Sequence, residues 1–398
     1  MSISEIVKNS KCVSCGLCSS VCPVDAITLK YLPKKGVFEP EIDFKKCVNC
    51  EKCEKFCPTK AEKSKSLLGP FISGCLAHAK DKKIRENSTS GGIINRLVEF
   101  LLVGEYVEAV IMVVHNTHSP IEASAQIITK QEVKELEKSP REFASRYIVV
   151  PVLENLTETL AKYKKIAVVG TPCQIRAINN LNTTGTEIFK IGITCSGGMS
   201  HIATEEYKRM SGLENAEMYY RGKGWPGKNS LITDEKCLEY DHQGSLFERM
   251  FSSQVFKIKG CRQCSDHFAE CSDISFCDFW NPQEMKKEGL GNSCVIIRKE
   301  KAQDIFNELH KSGKADIVRQ LNTDEIIATQ ISILKAKKGN VSSTKKYKLF
   351  IKMIDFVFKF RIYKIFNFKI YRKLASIYLE MCREGKLDEN LSQAIPVK

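Results

Sequence analysis

Cys12, Cys15, Cys18 and Cys22 precede Pro23, and Cys47, Cys50, Cys53 and Cys57 precede Pro58. Both runs read C-x2-C-x2-C-x3-C-P. Three thiolates at this spacing wrap one face of an iron–sulfur cube, and the fourth, set off by proline, reaches a neighbouring cube. The pattern therefore assigns Cys12, Cys15, Cys18 and Cys57 to one [4Fe–4S] cluster, and Cys47, Cys50, Cys53 and Cys22 to a second. Structural zinc is the competing chemistry, because C-x2-C pairs also hold zinc. A third cysteine three residues on, followed by Cys-Pro, is foreign to most zinc sites. The chemistry expected of this segment is one-electron transfer.

Other reactive residues follow. Ser88-Thr89-Ser90-Gly91-Gly92 precedes a helical pattern, so Ser90 is expected to cap that helix while the glycines admit a phosphate to its N–H groups. A plain capped turn explains the same residues. In Gly170-Thr171-Pro172-Cys173-Gln174, the cysteine falls in the first turn of a helix, where the dipole favours thiolate. Cys195 lies at a similar strand end, and Cys261-Arg262-Gln263-Cys264 adds another C-x2-C pair. Cys173, Cys195, Cys261 and Cys264 could form a third four-thiolate site, or the first two could be buried packing residues. Arg221-Gly222-Lys223-Gly224-Trp225-Pro226-Gly227 joins two cations, three glycines and an indole. Such a loop suits a pyrophosphate with a planar ring stacked on Trp225, the alternative being a solvated turn. The seven histidines are scattered and offer no catalytic pair.

The elements that must position these groups alternate. Helix is expected over Ile93–Leu102, ending near Gly104, followed by a strand over Val107–Val114. Strand Lys165–Val169 leads through Gly170-Thr171-Pro172 into helix Gln174–Leu181. Further strands are expected at Ile188–Thr194 and Cys294–Arg298, with helix Lys301–Lys311 after them. Strand, glycine turn and helix in succession predict an α/β domain with a largely parallel sheet, whose strand ends gather on one rim.

The chain has 398 residues, 43% of them hydrophobic, which is enough for two or three domains and a real core. Its 18 cysteines match cluster spacing in a reducing cytoplasm better than a secreted disulfide scaffold. Met1–Ser10 has no apolar signal core, and no apolar run reaches the ~18 residues of a membrane span. Ten Lys or Arg between Lys345 and Lys373, against Asp355 alone, supply +9 of the +14 net charge. The basic excess is thus a local tail and does not point to nucleic acid. In that tail Phe350, Ile354, Val357, Phe358, Ile362, Ile365 and Phe366 fall near helical spacing. Three fates fit it: packing over the enzyme, docking a partner, or lying peripherally on an anionic membrane surface. Cys237, Cys294 and Cys382 read as packing cysteines.

The N-terminal run resembles a bacterial-type two-cluster ferredoxin module. From about Ser73 to Leu309 the chain resembles the beta subunit family of coenzyme F420-reducing hydrogenases and dehydrogenases, through five motifs in the family's order. These are Ser88–Gly92, Val169–Gln174, Arg221–Gly227, Cys261–Cys264 and Ala269–Trp280. The resemblance implies FAD, a further [4Fe–4S] cluster, and exchange between one-electron carriers and a hydride-accepting substrate. It assigns Ser88, Ser90, Gly91, Gly92, Thr171, Arg221, Gly222, Lys223, Gly224, Trp225 and Asp278 to FAD, and favours Cys173, Cys195, Cys261 and Cys264 for the third cluster. The family also includes chlorophyll-type reductases and members resembling proteins of polysaccharide gene clusters.

One region departs from the pattern. Cys271 and Cys277 stand where the family lacks cysteine, so Cys261, Cys264, Cys271 and Cys277 form a competing local set, with Cys75 a possible substitute ligand in either. The expected architecture is an α+β dicluster module (1–66), an α/β flavin and iron–sulfur domain (67–340) and a basic, aromatic helical tail (341–398). The expected function is FAD- and cluster-dependent oxidoreduction, served by a redox partner protein or ferredoxin and a small-molecule or deazaflavin substrate. A non-catalytic electron-relay subunit, or a reductase of polysaccharide biosynthesis, are the alternatives.

Overall fold

The computed structural model describes residues 2–60, 66–181, 185–388 and 391. The stretch 61–65, just before the expected end of the cluster module, and most of the tail's last ten residues lie outside the described residues.

In the N-terminal module, short helices Leu17–Ser20 and Lys52–Lys55 flank an antiparallel hairpin, Ile27–Leu32 with Val37–Ile42. Val13, Cys15, Leu17 and Val21 join the same apolar cluster as the sheet strands of the large unit. Backbone bonds reinforce this docking: Leu153 N–H donates to Cys15 O at 2.9 Å, and His201 N–H to Gly36 O at 2.8 Å. The module is therefore fused into the main core and does not hang from it on a linker.

The large unit is built on an eight-stranded sheet. Across it run Ala315–Gln320, Ser73–Ala79, Ser293–Ile297, Ile274–Asp278, Glu187–Ile193, Lys165–Gly170, Ala109–His115 and Ala123–Thr129. Alternate residues of the central strands point to opposite faces, as the pleat requires. Ala109, Ile111, Ile166 and Val168 serve one apolar layer, while Val110, Met112, Ala167 and Val169 serve the other. Helices Ile93–Val103 and Glu300–Lys311 cover that second face through Leu97, Leu101, Ile305 and Phe306. A separate three-stranded sheet, Glu217–Tyr219, Lys228–Ile232 and Cys237–Asp241, carries the Arg221 loop between its first two strands.

Three expectations need correction. The sheet is mixed: only the pairings among 109–115, 165–170, 187–193 and 274–278 are parallel, and the flanking ones are antiparallel. The strands that run against the rest are Ala123–Thr129, Ser293–Ile297 and Ala315–Gln320. Cys237 is exposed on an edge strand, whereas Cys294 and Cys382 are buried. The tail is not one continuous helix. Helix Lys345–Lys359 ends at Phe360, Arg361 turns with φ 55°, and a short 3-10 turn, Ile362–Ile365, leads to helix Phe368–Glu384.

Candidate functional site

Cys12, Cys15, Cys18 and Cys57 lie near one another, as do Cys22, Cys50 and Cys53. The thiol of Cys15 is electrostatically coupled to those of Cys18, Cys57 and Cys12, and Cys18 to Cys12 and Cys57. Cys53 is coupled to Cys50 and Cys22. Each proline-adjacent cysteine thus crosses to the other run. Burial pushes the Cys12 and Cys53 thiols up to about 11, and Cys15 well above the ordinary thiol range. Left bare, such thiols stay protonated; a cationic cluster replaces the protons and makes the thiolates favourable. Backbone N–H groups already point at sulfur, from Ser14 to Cys12 at 3.4 Å and from Ala26 to Cys22 at 3.2 Å. Among the described residues, no three His, Cys, Asp or Glu side chains converge tightly enough to ligate one metal ion.

A third quartet forms at the rim of the sheet. Cys173 follows strand Lys165–Gly170 and Cys195 follows its parallel neighbour Glu187–Ile193, so both emerge at the same edge. Cys261, in the short helix Lys259–Arg262, and Cys264 come to meet them. Cys173 is coupled to Cys261, Cys264 and Cys195, and Cys261 to Cys195 and Cys264. Gly198 N–H points at Cys261 Sγ at 3.3 Å, and Thr171 Oγ1 lies 3.4 Å from Cys173 Sγ. The helix dipole does not prevail at Cys173: burial and the neighbouring thiols push it well above the ordinary range. Two lysines, invisible to sequence reasoning, flank the quartet. Lys337 Nζ lies 3.9 Å from Cys264 Sγ, and Lys257 donates to Ser196 O at 2.6 Å. Lys337 is 73 residues from Cys264 along the chain, which hides the pairing from any local motif. Their charges suit the excess negative charge of a four-thiolate cluster. A cavity of about 130 Å³ opens beside Cys261 and Lys337, walled on its far side by Tyr347 and Tyr378 of the tail.

The competing ligands lie elsewhere. Cys277 is paired directly with Cys294 on the neighbouring strand, and Cys75, opposite Val295, faces the apolar layer on the other side of the sheet. Cys271 sits among Arg176, Asp266 and Glu270.

The first and third quartets are neighbours. A side chain on Gly260, one residue before Cys261, would fall 2.4 Å from the Cys12 carbonyl. The turn Pro58–Lys60, which follows Cys57, packs against the helix Pro172–Asn179 that carries Cys173. The second quartet faces outward, with Cys50 exposed and Phe44 and Val48 in solvent beside it.

The remaining motifs converge on Arg221, whose side chain is 1% exposed. Its guanidinium donates to Thr89 O and Tyr147 OH, both at 3.0 Å, and meets Asp278 Oδ2 at 3.2 Å. Trp225 Nε1 donates to the other Asp278 oxygen at 3.4 Å. Gly91 (φ 62°) presses its backbone against Ser293 and Asn292. Among the described residues, Arg221 Nε and Asn292 Oδ1 are buried without a hydrogen-bond partner. A dinucleotide finds glycine backbone, a buried guanidinium and orphaned polar atoms here, and in these respects the residues fit FAD.

Several single assignments change. Ser90 does not cap the helix: Gly92 occupies that position, and Ser90 Oγ donates to Asn292 O at 3.1 Å. Ser88 accepts from Asn95 at 3.2 Å. Thr171 begins the next helix, with Gln174 reaching back to its N–H at 2.8 Å. Lys223 is drawn to Glu239 at 2.8 Å, and Gly222 and Gly224 adopt positive φ. Trp225 is covered, by Trp280 at 5.1 Å between centroids and by Gly291. Sequence reasoning missed Arg141, which reaches Arg221 O at 3.3 Å, and Tyr147; both lie in a segment without periodic pattern. It also missed a link between the two centres. His267 bridges Cys195 O at 3.0 Å and Gln330 Oε1 at 3.2 Å, and Gln330 Nε2 donates to Asp278 O at 2.7 Å.

Comparison with known proteins places these sites in context. Residues 163–321 match the model for the C terminus of the coenzyme F420 hydrogenase/dehydrogenase beta subunit, and residues 75–157 match its N-terminal counterpart. Residues 11–61 match a 4Fe-4S dicluster domain. The chain is 24% identical over 301 residues to the beta subunit of coenzyme F420 hydrogenase of Methanococcus voltae, covering 71% of this chain and 97% of that one. It is 26% identical over 206 residues to a subunit of the F(420)H(2) dehydrogenase of Methanosarcina mazei, spanning 50% of this chain and 57% of the relative. Similarity to the coenzyme F420-dependent sulfite reductase of Methanocaldococcus jannaschii, at 23% identity, covers 85% of this chain but only 51% of that protein. The fold resembles a chain of the F420-reducing [NiFe] hydrogenase complex from Methanosarcina barkeri (TM-score 0.52, 18% identity, 72% of this chain and 96% of that one).

Proposed function

Because the chain belongs to the coenzyme F420 hydrogenase/dehydrogenase beta subunit family, with a 4Fe-4S dicluster domain at its N-terminal end, we propose that it is an iron–sulfur flavoprotein oxidoreductase. Its three thiol quartets hold [4Fe–4S] clusters, and the Arg221 constellation holds FAD. The observation that carries this reading is the ordering of the cysteine sets: one with Cys50 exposed, one with Cys15 buried whose Cys12 carbonyl lies close to Gly260, the rim set beginning one residue later, and the His267–Gln330 link to Asp278. Together they form a continuous track from solvent to the flavin site.

Bound FAD would supply the exchange between single electrons and a hydride pair. The chain's own residues hold and insulate. Phe44 and Val48, exposed beside the second quartet, offer a redox partner protein or ferredoxin an apolar contact. Lys257 and Lys337 balance charge at the third quartet. Arg221 fixes Asp278 and Tyr147 while its remaining N–H faces the ligand. The hydride partner is a small organic molecule, and a deazaflavin of the coenzyme F420 kind is the class to test first.

The relay reading has one observation in its favour, the covering of Trp225 by Trp280, which leaves the indole no free face for a flavin ring. Flavin content separates the two. Protein purified without oxygen should carry about twelve iron and one flavin; iron without flavin, even after reconstitution, would leave only the relay.

A further inference from the structure

Six of the large exposed hydrophobic side chains crowd into the tail: Leu349 (71% exposed), Met353 (42%), Phe356 (56%), Phe360 (58%), Ile365 (80%) and Phe368 (39%). The first four fall at spacings of four, three and four residues, which lays them along one stripe of helix Lys345–Lys359 and its C-cap, Phe360. The neighbouring stripe of that helix, about 100° round its axis, Phe350, Ile354 and Val357, is buried against the enzyme. The exposed stripe is therefore a second apolar strip that flanks the buried one and is open to solvent.

Charge surrounds it. Lys345, Lys346, Lys348, Lys352, Lys359, Arg361, Lys364, Lys369, Arg372 and Lys373 are all exposed. Among the described residues only Lys346 of these ten is ion-paired, with Glu384 at 3.2 Å. The one acid in the stretch, Asp355, is spent on the enzyme side, on Arg262 at 2.6 Å and Lys259 at 3.3 Å.

We propose that this face seats the protein on an anionic phospholipid surface, with the stripe at the acyl boundary and the cations among the headgroups. The composition decides between occupants. Protein–protein interfaces are depleted in lysine, and eight of the ten cations here are lysines. Leucine and phenylalanine on one side of a helix with lysine and arginine around them is the arrangement of an interfacial helix. Two signals, apolar and basic, are what reversible anchoring without a spanning segment requires, and no described helix is long and apolar enough to cross a membrane.

The test is flotation of the full chain, kept free of oxygen, with vesicles of phosphatidylcholine alone or mixed with phosphatidylglycerol. The protein should float with the mixed vesicles, stay behind with pure phosphatidylcholine, and be released by high salt. Replacing Leu349, Met353, Phe356 and Phe360 together by serine should lower the bound fraction roughly tenfold with iron content unchanged, since all four side chains are in solvent. Protein that stays in solution with anionic vesicles overturns the proposal and leaves an acidic protein as the partner to seek. Unchanged binding by the serine variant also overturns it, as would a dimer in light scattering that those substitutions dissolve.

Discussion

At the scale of single residues, position in the fold decides which cysteine is a ligand. Cys173→Ser should lower iron from about twelve to about eight per chain and leave the N-terminal cluster signals in electron paramagnetic resonance intact. Cys271→Ser, although it sits in the segment that departs from the family pattern, should leave iron unchanged. The reverse outcome would mean the local cysteine set is the true one. Arg221 is a similar case. Breaking a buried ion pair costs about 3–5 kcal/mol, so Arg221→Ala should lower the melting temperature and abolish flavin retention, both measurable by absorbance on the same sample. His242 gives a pH signature. Burial, assisted by the charge of Arg221, brings its pKa down from the usual 6.5 to about 3. The folded state keeps it neutral while the unfolded state takes up a proton below 6.5, so stability falls as pH drops from about 6.5 towards 3. The slope should be near 1.4 kcal/mol per pH unit for one proton. Urea titrations at stepped pH should find that component missing in His242→Gln.

At the scale of elements, legibility in the sequence followed from where the signal is local. Helix Ile93–Val103 and the strands Lys165–Gly170 and Glu187–Ile193 were readable because their apolar runs stop at glycine or proline. The cluster cysteines were readable because coordination imposes a fixed spacing. The mixed sheet was not, because strand direction depends on partners far apart in sequence, such as Ser73–Ala79 beside Ser293–Ile297. Nor were Lys337, Tyr147 and Gln330, which act only through tertiary contacts. The seam between Cys12 and Gly260 belongs to this scale. Valine at position 260 would drive a side chain into backbone oxygen at 2.4 Å, where the carbonyl cannot easily retreat. Overpacking of this kind costs about 1–3 kcal/mol. Gly260→Val should therefore keep full iron yet slow flavin reduction by a ferredoxin donor; an unchanged rate would mean electrons do not cross that seam.

At the scale of the whole molecule, the dicluster module and the sheet share one apolar core, so the module is positioned as the chain folds and needs no docking event. The tail's inner face closes over the same core: the Phe256 ring lies 5.2 Å from Tyr363 and 6.1 Å from Tyr371. It also walls the cavity beside Cys261. The most direct test is the stoichiometry of iron, acid-labile sulfide, zinc and flavin in protein purified without oxygen. The account predicts about twelve iron, matching sulfide and one FAD per chain. About eight iron with zinc and no flavin would contradict it.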